Sequence, residues 1–91
     1  MTSSERADDK RRGSRRRVLK GGKIIFRAGF SVIDCTVRDE SEIGARLKLV
    51  TTLGVPDVFQ LRIMKGEPRE VRVVWRSGYE LGVEFCLSRP D

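Results

Sequence analysis

"SVIDCTVRDESEIGARLKL", residues 31–49, alternates twice and is interrupted once. In its first part Ile33, Cys35 and Val37 alternate with Asp34, Thr36 and Arg38; in its last, Ala45, Leu47 and Leu49 alternate with Arg46 and Lys48. Successive side chains of a strand point to opposite faces, so a period of two predicts two half-buried strands. Between them "DESEIG", Asp39 to Gly44, is polar, short and ends in glycine, which predicts a tight turn and an antiparallel pair.

Working outward, the same period recurs. Phe59, Leu61 and Ile63 alternate with Gln60 and Arg62, Val71, Val73 and Trp75 oppose Arg72 and Arg76, and Leu81, Val83 and Phe85 oppose Gly82 and Glu84. "KIIFRAGF", residues 23–30, supplies a sixth strand. Turn signals separate the runs at Ala28-Gly29, Asp39 to Gly44, Gly54 to Asp57, Lys65 to Pro68 and Ser77-Gly78. No window holds a helical period. The expected fold is all-β, a small antiparallel six-stranded barrel, because closure removes the exposed edges that a short chain cannot otherwise cover. Phe59, Trp75 and Phe85 share the parity of the buried aliphatics and are assigned to the core. Phe26, Phe30 and Tyr79 are less constrained, and one of them is a candidate stacking surface.

Charge divides the chain. Residues 1–23 hold nine Lys/Arg and three Asp/Glu, whereas residues 24–91 hold ten of each, so the net +6 belongs to the N-terminal quarter. Within it "KRRGSRRRVLK", residues 10–20, places seven cations in eleven positions. A neutral body with a basic arm implies an anionic partner met by the arm. The division expected is a flexible arm over 1–17, a barrel over 18–88 and a tail over 89–91.

Other classes are argued against. Histidine is absent, which removes the commonest acid/base group and the Ser-His and Cys-His pairs. No nucleophile adjoins a base and no Gly-rich loop carries a Walker-type ending, so no catalytic residue is assigned and an enzyme is not expected. Cys35 and Cys86 form no C-x-x-C pair, so no metal site or resident cofactor is expected; Cys35 is read as a small apolar core residue, with Cys86 less constrained. No apolar run approaches a membrane span and "MTSSERADD" lacks a signal-peptide core, so a cytoplasmic protein without membrane contact is expected.

The turn admits two readings. Asp39 and Ser41, two apart, point the same way in extended backbone, and Gly44 omits a Cβ where the chain turns or another group approaches. Taken alone, the turn favours ordinary hairpin chemistry, which accounts for all three; the second reading is a carboxylate and a hydroxyl presented to one ligand edge, and the basic arm adds weight to it.

Taken together, the pieces resemble the PilZ domain family, the bacterial receptors for the second messenger cyclic di-GMP. That family pairs an Arg-x-x-x-Arg segment before the first strand with an Asp/Asn-x-Ser-x-x-Gly turn after the second. Here "RRGSRR" satisfies the first as Arg11 with Arg15 and as Arg12 with Arg16, and "DESEIG" satisfies the second through Asp39, Ser41 and Gly44. "VRVVWRSGYELGVEF", residues 71–85, resembles the family's closing strands. The helix that often follows them in the family is not expected here, since only "CLSRPD" follows Phe85.

The resemblance implies a cyclic di-GMP site built from Arg11, Arg12, Arg15, Arg16, Asp39, Ser41 and Gly44. Arg12 and Arg16 form the expected principal pair, Arg11 assists, and Arg15 and Arg17 act mainly through charge. Chemically this is apt: the guanidinium fork matches phosphate oxygens and the O6/N7 edge of guanine, and a carboxylate accepts from guanine N1–H and N2–H. The implied role is a receptor module that reorders its arginine arm on binding and signals to an unidentified downstream protein. Two alternatives stand beside it: a nucleic-acid-binding barrel, against which the scarcity of surface aromatics counts, and a ligand-free adaptor, against which the complete turn motif counts.

Overall fold

Each alternating run is a strand in the computed structural model, which describes residues 15–86. The strands are β1 (Arg16–Phe26), β2 (Ser31–Glu40), β3 (Gly44–Lys48), β4 (Val58–Ile63), β5 (Arg69–Arg76) and β6 (Glu80–Phe85). They close into a barrel in the order β1-β2-β3-β6-β5-β4, with every neighbouring pair antiparallel. The all-β, six-stranded barrel read from the alternation is therefore the observed architecture. Most of the basic arm lies outside the described residues; of its cations, Arg16 and Arg17 already belong to β1.

The inward faces supply the core. Ile24, Val37, Leu47, Leu61, Val71 and Leu81 are fully buried, one from each strand of the barrel. Each such burial stabilises by about 1.5–3 kcal/mol relative to exposure. Cys35 packs among them, and burial pushes its thiol up to about 11, so it stays protonated and inert. The loop after β3 is tied to the β5–β6 turn: Leu49 N–H donates to the Tyr79 carbonyl (2.8 Å), Thr52 N–H to that of Gly78 (3.0 Å), and the buried Thr52 hydroxyl to that of Ser77 (2.5 Å). Those bonds hold Leu49 and Val55 in the core.

Regular pairing breaks at three places: between Arg17 and Lys20 on β1, between Val37 and Asp39 on β2, and between Val73 and Trp75 on β5. A bulge inserts a residue into one strand and shifts every later side chain to the other face. On β5 Val73 opposes Val83, yet Trp75 opposes Gly82. Neighbouring residues of β6 face opposite ways, so Val73 and Trp75 do too. The assignment of Trp75 to the core is thereby corrected: it is 44% exposed, while Phe59 at 3% is buried. Phe85 is half-buried, its ring covered by the Arg69 guanidinium at 3.8 Å.

Candidate functional site

The bulge on β2 does for Asp39 what the bulge on β5 does for Trp75. By parity Asp39 follows Cys35 and Val37 toward the core, where an ionised carboxylate is costly. With the extra residue, Val37 opposes Leu47 while Asp39 opposes Arg46, and the carboxylate emerges on the outer face beside a cation. Asp39 is thus a β2 residue, not an exposed turn residue, and only 8% of it is accessible.

Register then places one residue from each of five adjacent strands in a single transverse row. Arg17 of β1 opposes Asp39 of β2, Asp39 opposes Arg46 of β3, Arg46 opposes Gly82 of β6, and Gly82 opposes Trp75 of β5. Gly82 is required there: a Cβ at that position would overlap the Trp75 indole, which lies across it. The row therefore runs from cations through a carboxylate to an exposed aromatic surface.

Arg46 is the row's centre. Its Nε donates to Asp39 Oδ2 at 2.5 Å and its Nη1 to Glu80 Oε2 at 2.8 Å. The bond from Arg46 holds the Asp39 carboxyl below its ordinary value against the opposing effect of burial, and the charges of Arg46, Arg15 and Arg17 add to it. The same bond raises the pKa of Arg46.

The remaining turn residues have local tasks. Ser41 N–H donates to the Gly44 carbonyl (2.9 Å), and Ser41 Oγ accepts from the backbone of Ile43 (3.1 Å) and Gly44 (3.2 Å). This is the hairpin chemistry of a Ser turn. Gly44 opens β3 where that strand presses on β6, so that any Cβ would overlap the Val83 carbonyl. Both motif residues are thus accounted for by the turn and the strand approach that carry Asp39 and Arg46.

Of the arginines singled out in the sequence, Arg15 and Arg16 are exposed, Arg16 lies opposite Glu40, and Arg11 and Arg12 lie outside the described residues. Arg17, read as a mainly electrostatic neighbour, is the residue in register with Asp39. Sequence reasoning missed Arg46, Glu80 and Trp75. For Trp75 a signal existed: the doubled apolar pair Val73-Val74 breaks the alternation where the bulge sits. Scarcity of surface aromatics also fails as an argument, since Phe30, Trp75 and Tyr79 are all exposed; among them Trp75 alone lies in the row.

Beyond the turn, a groove of about 620 Å³ is lined by Ile43, Arg69, Arg72, Glu84, Phe85 and Cys86 among others, and contains an Arg72–Glu84 ion pair (2.7 Å). Among the described residues there is no cluster of three or more His, Cys, Asp or Glu side chains placed to hold a metal, and no helix long and apolar enough to cross a membrane.

A family model, described as the PilZ domain, matches residues 9–91 and so spans the arginine segment, the turn and the whole row. No curated protein matches the chain.

Proposed function

The chain belongs to the PilZ domain family, whose members generally bind cyclic di-GMP, and from that membership we propose that this protein is a receptor for the dinucleotide, with the outer row of the barrel as one wall of its site and the arginine arm as the other. The observation that carries the reading is the row itself. It gathers a guanidinium, a carboxylate and an exposed indole, the three kinds of group that a guanine nucleotide engages through phosphate, base edge and base face.

In this reading Asp39 accepts from guanine N1–H and N2–H, an arrangement of donors that adenine lacks. Arg11, Arg12, Arg15 and Arg16 supply forks for the phosphates and for the O6/N7 edge, with Arg17 beside Asp39. Trp75 offers a stacking face, worth about 1–3 kcal/mol per base. Ser41 and Gly44 set the turn that aims Asp39. Folding the arm onto the barrel costs about 1–2 kcal/mol of conformational entropy per residue fixed. Ligand binding thereby becomes a change of shape that a downstream protein reads in the cytoplasm. The module needs no resident cofactor and transforms nothing.

Titration calorimetry of the full chain tests this. Cyclic di-GMP should bind more tightly than cyclic di-AMP, GTP or a short DNA, and the DNA affinity should fall more steeply with salt because more phosphates release counterions. Equal affinity for DNA and the cyclic dinucleotide would replace the receptor reading with the nucleic-acid barrel. No binding by either would leave the adaptor.

A further inference from the structure

Arg46 divides its fork between two carboxylates on different strands, and the division has a consequence for the open acceptor of Asp39. A guanidinium beside a lone carboxylate prefers the bidentate arrangement, in which two parallel N–H groups close on both oxygens. Arg46 does not adopt it. Nε goes to Asp39 Oδ2, while Nη1 goes to Glu80 Oε2. Among the described residues no second hydrogen bond reaches the Asp39 carboxylate, and Oδ1 has no donor among them.

Glu80 reaches Arg46 out of register. Its direct partner across β3 and β6 is Lys48, and the partner of Arg46 is Gly82, yet the Glu80 carboxylate crosses to the neighbouring row to meet Arg46. Three features converge on this diagonal. Gly82 presents no side chain between them, the Trp75 indole occupies the space over Gly82, and the side chains of both Arg46 and Glu80 remain about 30% accessible. Of the five N–H donors of a guanidinium, two are engaged by side chains among the described residues.

We propose that Glu80 is a positioning residue for guanine recognition: by holding Nη1 it fixes the tilt of the Arg46 guanidinium, so that Nη2, the nitrogen that pairs with Nε in a side-on fork, stays off Asp39 and an Asp39 oxygen stays open to the base. This rests on the receptor reading above for the identity of the base. Its structural half, the divided fork, stands independently of any ligand.

Glu80→Gln is the informative change, because it keeps the shape and removes the charge that competes for Arg46. In calorimetric titration with cyclic di-GMP, Glu80→Gln should lose roughly fivefold to tenfold in affinity with no drop in Tm, since the released guanidinium turns to close on Asp39 through Nε and Nη2. Glu80→Asp, which keeps the charge, should recover part of the loss. In an Arg46→Lys background Glu80→Gln should be silent, because an ammonium has no fork to close. An unchanged affinity, an equal loss in the Arg46→Lys background, or a loss that tracks a lower Tm would each overturn the proposal. A crystal structure of ligand-free Glu80→Gln decides the structural half even if wild type binds no dinucleotide: Arg46 should donate to Asp39 through two nitrogens, and a fork still bonded through Nε alone overturns the inference. Failure of wild type to bind cyclic di-GMP would sink the receptor reading instead.

Discussion

Strands β4 and β5 lie side by side, and both read as alternating strands apart from the Val73-Val74 pair on β5, yet they place their aromatic residues on opposite sides of the wall. On β4 the ladder is regular on both flanks, and Phe59 and Leu61 go where parity sends them, into the core. On β5 Val71 goes inward as well, but the bulge after Val73 turns Trp75 out to solvent across Gly82. The same contrast separates Val37 from Asp39 on β2. Regular register builds the barrel, and broken register builds the candidate site, because a bulge is the cheapest way to bring a side chain out of the parity of its strand.

Truncating the two aromatics in parallel puts this contrast to its hardest test. Phe59→Ala removes a buried ring from the regular strand and should cost about 3–5 kcal/mol in denaturant unfolding. Ligand affinity per folded molecule should be unchanged. A loss below about 1 kcal/mol would mean that the β4 side of the barrel is loosely packed and that regular register does not carry the core.

This division also explains what the sequence showed. Strand number, the antiparallel hairpin at Asp39 to Gly44 and the buried faces of β2, β3, β4 and β6 were legible because hydrophobic alternation is the direct imprint of a one-sided wall. Gly44 was legible as a point of close approach, and the Val83 carbonyl is what approaches. Arg46 and Glu80 were not, since an exposed charge on the polar face of a strand looks the same whether it is solvated or joined to a partner across the sheet. Asp39 was read as a turn residue because a one-residue slip is invisible to a period of two once the run becomes polar. Nothing at Arg38 announces the bulge as Val73-Val74 does on β5.

A smaller effect is expected at Asp39, where the site and the fold share a residue. Asp39→Asn breaks the charge-assisted bond to a partly exposed Arg46 and should cost about 1–2 kcal/mol of stability at neutral pH. The pH dependence has a definite sign. The native carboxyl lies below its ordinary value of 3.8, so on acidification the unfolded chain takes up the proton first. The contribution is whole above that value and is lost as pH falls through the native pKa. Urea midpoints of wild type and Asp39→Asn should therefore differ by a constant amount near neutrality and converge below about pH 4. A gap that persists in strong acid would mean that shape rather than charge holds Asp39 in place.

The smallest change in stability is expected at Trp75, and it separates the two recognition tasks within the row. Its indole is 44% exposed and rests on Gly82, so Trp75→Ala should lower unfolding free energy by less than about 1 kcal/mol, far less than Phe59→Ala. Binding should suffer more, since the loss of a stacked base corresponds to about 1–3 kcal/mol, a factor of about 5 to 150 in Kd. Stacking is indifferent to the edge of the base. Trp75→Ala should therefore weaken cyclic di-GMP and cyclic di-AMP by similar factors and leave their ratio intact. Asp39→Asn should instead weaken cyclic di-GMP selectively and shrink that ratio. If Trp75→Ala altered the ratio while Asp39→Asn left it alone, the base edge would be read at the aromatic end of the row, and the carboxylate would serve only to position Arg46.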